Sequence, residues 1–186
     1  MNGSPTEVVA TAFSALESED WSRLAELTHP DALAEYRSHQ IAFLLAWAEY
    51  LSKDESVRGG GFGSSGEIKP ELLARFADQE LDWVPEHPAI GELAALSPKD
   101  FFARWMRAGY RERPLASRRL PVIPRQILGV VLESERLAHV VYRGMEWMPG
   151  EAIHVMSLSR ADGDWLLMQN METLKSPRLP TPGREP

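Results

Sequence analysis

The chain has 186 residues with 44% hydrophobic and 25% charged content, enough for one filled core and the mix of an ordinary globular protein. Its net charge of −7 argues against general nucleic-acid binding, and the lack of cysteine excludes disulfides, thiolate nucleophiles and cysteine-ligated metal centres. No run approaches the roughly 18–20 apolar residues of a membrane span, and Met1-Asn2-Gly3-Ser4-Pro5 lacks the basic-then-apolar order of a secretory leader, so the cytoplasm is the expected location.

Ser4-Pro5-Thr6-Glu7 reads as a helix start, with Ser as N-cap, Pro at the first helical position and Glu three after the cap. Val8, Val9, Ala12, Phe13 and Leu16 follow on one face at helical spacing. A short helix from Asp20 turns Trp21, Leu24 and Leu27 inward and ends near His29-Pro30. The next helix is expected over residues 31–51, and its second half is apolar nearly all round, the mark of a helix buried on several sides.

Residues 52–69 break that pattern with a glycine- and serine-rich loop. Gly61, Gly63 and Gly66 form a formal G-x-G-x-x-G, but the dinucleotide fingerprint needs a strand before it and a helix immediately after. Pro70 opens a helix carrying Leu72, Leu73, Phe76 and Leu81, and an irregular connector runs from Trp83 to Pro88. Ser97 caps a further helix whose stripe is Phe101, Phe102, Trp105, Met106 and Tyr110. Residues 123–175 then read as four strands of one antiparallel meander, with turns at Ser134-Glu135, Pro149-Gly150 and Asp162-Gly163. One domain over residues 1–175 is expected, with a helical insertion at about 52–120 and a proline-rich, disordered tail at 176–186.

Two-residue turns fix a register, since side chains alternate faces. Glu133 then pairs with Arg136, Met148 with Glu151 and Ala161 with Asp164. One face carries Ile127, Gly129, Val131, Ala138, Val140, Tyr142, Gly144, Glu146, Ile153, Val155, Ser157, Ser159, Leu166, Met168, Asn170 and Glu172. The other carries Leu128, Val130, His139, Val141, Arg143, Met145, His154, Met156, Leu158, Arg160, Trp165, Leu167, Gln169 and Met171. The first, aliphatic and free of cations, is expected to face the helices. If the faces are reversed, His154, Arg143 and Gln169 line the interior instead.

The N-terminal helix pair, Glu19-Asp20-Trp21 with Leu24, Leu27 and His29-Pro30-Asp31, and the C-terminal meander together resemble the NTF2-like (SnoaL-like, cystatin-like α+β) superfamily. The resemblance implies an α+β fold in which helices pack on a curved sheet to form a cone around a pocket. The superfamily includes isomerases and dehydratases as well as binding and dimerisation domains, so the fold does not fix an activity. The leading expectation is a binder of a small apolar molecule, lined by Tyr142, Val155, Ser157, Met168 and Asn170. The alternative is an isomerase or dehydratase with Glu146, Glu172 or His154 as base and Tyr142 as hydrogen-bond donor. A third reading is a non-catalytic dimerisation or partner-binding module. A homodimer through Arg143, Met145, Met156 and Trp165 is expected, because Met, Arg and aromatic residues are enriched at interfaces. No two of the five histidines stand three to five apart with an acidic partner, so no metal and no cofactor is expected.

Overall fold

A computed structural model describes residues 3–53, 66–84, 86–111, 125–145 and 151–168. Among these, the chain is α+β, with six helices and one four-stranded antiparallel sheet. The helices are α1 (Pro5–Glu17), α2 (Trp21–Glu26), α3 (Pro30–Ser52), α4 (Pro70–Phe76), α5 (Ile90–Ala95) and α6 (Pro98–Arg111). The strands are β1 (Gln126–Leu132), β2 (Leu137–Met145), β3 (Glu151–Ala161) and β4 (Asp164–Leu167). Most of the glycine-rich loop and all of the 176–186 tail lie outside the described residues. None of the helices is long and apolar enough to cross a membrane.

The first helix is fixed by the chemistry its sequence announces. The Glu7 N–H donates to the Ser4 hydroxyl at 3.4 Å, and the Ser4 N–H donates to Glu7 Oε2 at 2.6 Å, satisfying two otherwise orphaned donors. Its buried stripe is Val8, Val9, Ala12 and Phe13. Asp20 caps α2 through the Arg23 N–H at 2.9 Å. α3 buries Ile41, Leu44, Leu45 and Ala48 and keeps Phe43, Trp47 and Tyr50 only partly covered, in line with its apolar circumference.

Two helical details differ from expectation. α4 stops at Phe76 instead of reaching Leu81; Leu81 is buried in the following connector, where its N–H meets the Pro88 carbonyl at 3.1 Å. α5 has only six residues, too few for a periodic pattern to show, and Arg37 of α3 holds its last turn by donating from Nη2 to the Ala94 carbonyl. α6 does start at Ser97, whose Oγ accepts the Asp100 N–H at 3.1 Å. It packs against α2 and α3, with Phe101 and Phe102 fully buried and Trp105 stacked on Phe101 at 5.7 Å. The helical segment after α3 therefore supplies part of the common core.

Tyr36 of α3 sits inside this aromatic group, edge-on to Phe102 at 5.6 Å. Burial pushes its phenol far above the ordinary value of 10.0, with the neighbouring Trp105 indole acting in the opposite sense. A group whose folded pKa is raised contributes stability that is complete below its unfolded pKa and is lost as pH rises beyond it. Chemical denaturation midpoints should thus fall above about pH 10 as the unfolded chain ionises, and Tyr36→Phe should flatten that alkaline limb relative to the parent chain.

The sheet runs in the order β1-β2-β3-β4, every neighbour antiparallel. The register departs from expectation at two connections. Leu132 pairs with Ala138 and the Glu133 N–H donates to the Leu137 carbonyl, so the β1–β2 connection is one residue longer than a two-residue turn. A bulge between Ile127 and Gly129 absorbs the slip, leaving Ile127 opposite Tyr142 as expected while Gly129 and Val131 move to the other face. Between β2 and β3, Met145 pairs with Glu151, where Met148 was expected to pair with that residue. That odd-numbered shift turns all of β3 over. The Asp162-Gly163 turn is as read, with φ values of 52° and 88° and Ala161 opposite Asp164, so β4 turns over with β3.

The face toward the helices accordingly carries Ala138, Val140 and Tyr142 from β2, His154, Met156 and Leu158 from β3, and Trp165 and Leu167 from β4. α1 lies against β1, β2 and β4. The far side of β4 is closed by the α2–α3 connector: the Leu167 N–H donates to the Leu27 carbonyl and the His29 N–H to the Leu167 carbonyl, both at 2.8 Å.

Candidate functional site

The turned register changes which candidate residues meet. Tyr142 faces the helices as expected, but Val155 and Ser157 point to the outer face, and Met168, whose N–H bonds the Ser157 carbonyl at 2.8 Å, is 38% exposed. Those three do not line the interior. Asn170, Glu146 and Glu172 lie outside the described residues. The expected dimer face also loses members: Met156 and Trp165 are 4% and 8% exposed and belong to the monomer's core, while Arg143 stays outward. The Met145 side chain is outside the described set.

His154 moves in the opposite direction. It is the direct cross-strand partner of Tyr142, and their rings lie 5.2 Å apart at 33°. Both are half-buried on the helix-facing side. Phe13 of α1 meets the Tyr142 ring edge-on at 4.9 Å. The Arg125 guanidinium stands 5.5 Å from the centre of the Phe13 ring and 3.9 Å from the Glu17 carboxylate. Next along β2, Gly144 lies against the Arg125 side chain: a Cβ there would sit in ordinary contact, 3.4 Å from Arg125 Cγ and 3.5 Å from Tyr142 Cε2.

One end of the inner face thus gathers a phenol, an imidazole and a guanidinium around a phenylalanine ring. The other end, around Ala138, Val140, Met156, Leu158, Trp165 and Leu167, is apolar and buried. Chemically, the polar end offers a phenolic hydroxyl, an imidazole ring and a guanidinium. Arg125 was not singled out from the sequence, although its position two residues before Ile127 puts it on the Tyr142 face of the strand. Among the described residues, no three His, Asp or Glu side chains gather as a metal site.

A second polar group lies on the outer face. His139 Nδ1 is 3.0 Å from Ser157 Oγ and its Nε2 is 2.7 Å from Glu133 Oε2. The order Ser–His–Glu is that of an acyl-transfer relay. Here the hydroxyl stands on the pleated outer face of β3, a strand paired on both sides by β2 and β4. The contacts clamp the β1–β2 turn to β3.

No protein-family model, no curated protein and no solved structure matches this chain.

Proposed function

We propose that this chain is a small-molecule-binding protein with an NTF2-like cone, in which α4–α6 form a helical insertion and the ligand enters at the Tyr142–His154 end. The observation that carries this is the convergence of Tyr142, His154 and Arg125 beside Phe13 on a face that is otherwise apolar. Binding sites commonly combine an apolar lining with a few convergent polar groups. The fitting ligand is flat or cyclic and largely apolar, with one acceptor or anionic group directed at Arg125. The adjacency of Tyr142 and His154 also favours a second reading, an isomerase or dehydratase with His154 as base and Tyr142 polarising a carbonyl.

An anionic aromatic probe such as anilinonaphthalene sulfonate tests the site by titration calorimetry and native mass spectrometry. One equivalent is expected to bind. Arg125→Gln and His154→Ala should each weaken it about tenfold, about 1.4 kcal/mol, and Ile153→Ser on the outer face should not. Equal affinity for all of these proteins would place the probe elsewhere and end the proposal.

A further inference from the structure

The outer face of the sheet holds a nucleophile and a base that the inner-face site does not use. Ser157 of β3 and His139 of β2 are direct cross-strand partners. The Met168 N–H donates to the Ser157 carbonyl, so the Ser157 backbone turns toward β4. Its pairing with His139 is then the non-hydrogen-bonded kind, in which opposed side chains stand closest. Ser157 Oγ accordingly comes within 3.0 Å of His139 Nδ1. On the other side of the ring, Nε2 lies 2.7 Å from Glu133 Oε2. A carboxylate only accepts hydrogen bonds, so Nε2 carries the ring hydrogen and Nδ1 is left to accept from the serine hydroxyl. Nucleophile, base and orienting acid thus stand in sequence, with the tautomer that acyl transfer needs.

The pair is accessible. Ser157 and His139 are both only partly buried, and the face around them is apolar. Val131, opposite His139, is 57% exposed, and Val155, two residues before Ser157, is 60% exposed. Met168, beside Ser157 just past β4, is exposed as well. A short aliphatic chain laid over these side chains would be partly withdrawn from water while its carbonyl carbon meets Ser157 Oγ.

We propose that Ser157 is the nucleophile of an esterase activity on the outer face, acting on carboxylic esters with a short apolar acyl chain. Ser157 Oγ bonds to the ester carbonyl carbon as its proton passes to His139 Nδ1. The bond from that carbon to the alkoxy oxygen breaks, and the alcohol leaves with the proton held by His139. Water then adds to the acyl-serine, giving a proton to Nδ1; the carboxylic acid departs and Ser157 recovers its hydrogen from the ring. Glu133 touches no substrate. It is a positioning residue that keeps Nδ1 bare and favours the charged imidazolium formed in each step. The activity is independent of the Tyr142–His154 end, which lies on the opposite face.

Hydrolysis of p-nitrophenyl butyrate by the full chain tests this. Turnover should exceed that of equimolar imidazole, and butyrate should react faster than acetate. Phenylmethylsulfonyl fluoride, in which Ser157 Oγ would replace fluoride on sulfur, should stop turnover and label Ser157 in peptide maps of the parent protein. Ser157→Ala and His139→Gln should each lower kcat about 100-fold, with unchanged circular-dichroism spectra. Glu133→Gln should lower kcat about tenfold at constant KM, the mark of a group that acts only in the transition state. Ser159→Ala, the next outward residue of β3, should leave the rate unchanged. Val155→Ser should narrow the preference for butyrate. A rate no higher than that of equimolar imidazole, full activity in Ser157→Ala, labelling at sites other than Ser157, or equal rates for acetate and butyrate would each overturn the proposal.

Discussion

Phe101→Ala lowers the unfolding free energy by about 3–5 kcal/mol, measured as a shifted urea midpoint with an unchanged slope. Phe101 is fully buried, stacked on Trp105 and edge-on to Tyr36 at 6.3 Å. Truncation removes a large apolar side chain from the place where α6 meets α2 and α3, and these rigid rings can close the resulting void only in part. The loss is expected in one cooperative step. A helical signal that falls in two separate transitions would instead make α6 an appendage with a stability of its own.

Leu167→Pro is expected to cost on the order of 4 kcal/mol or more. Two effects act at one residue. The side chain is completely buried, and the N–H is the donor to the Leu27 carbonyl that proline cannot supply. The reciprocal bond, from the His29 N–H to the Leu167 carbonyl, gives a local readout. In hydrogen exchange the His29 amide should lose its protection in the variant while amides within α1 keep theirs. Leu167→Val, which retains the donor and suits a strand, should cost only about 0.5–1.5 kcal/mol. Continued protection at His29 in the proline variant would show that the connector is held by something other than β4.

The helices were legible because their signals are local. Ser4 with Glu7, Asp20 and Ser97 each announce a cap, and each makes the capping bond. The four strands and the Asp162-Gly163 turn were equally readable. What the sequence did not disclose was register. A one-residue slip exchanges the faces of a strand, and here the slips arose at the connections read as two-residue turns at Ser134-Glu135 and Pro149-Gly150, the second of which lies outside the described residues. That is why Val155 and Ser157, expected inside, are outside, and why His154, expected outside, faces Tyr142. The aliphatic rule used to choose the inner face also misled. Met156 and Trp165 were given to an interface on residue type alone, yet they fill the monomer's core. Arg125 closes a basic stretch from Lys99 with seven arginines, which reads as a solvated face rather than an anion site because helical spacing does not gather them on one stripe; the Phe13 ring beneath Arg125 is what sets it apart.

The backbone tie between Leu27 and Leu167 joins segments on the order of 140 residues apart, a separation that slows closure of a fold. During synthesis, the amphipathic N-terminal coils leave the ribosome long before the last arm that will shelter them. They wait with their greasy sides uncovered, at about 5–20 residues added per second, for several seconds. A nascent chain stalled short of Leu167 should accordingly be a ready client for chaperones, and one extended past it should not.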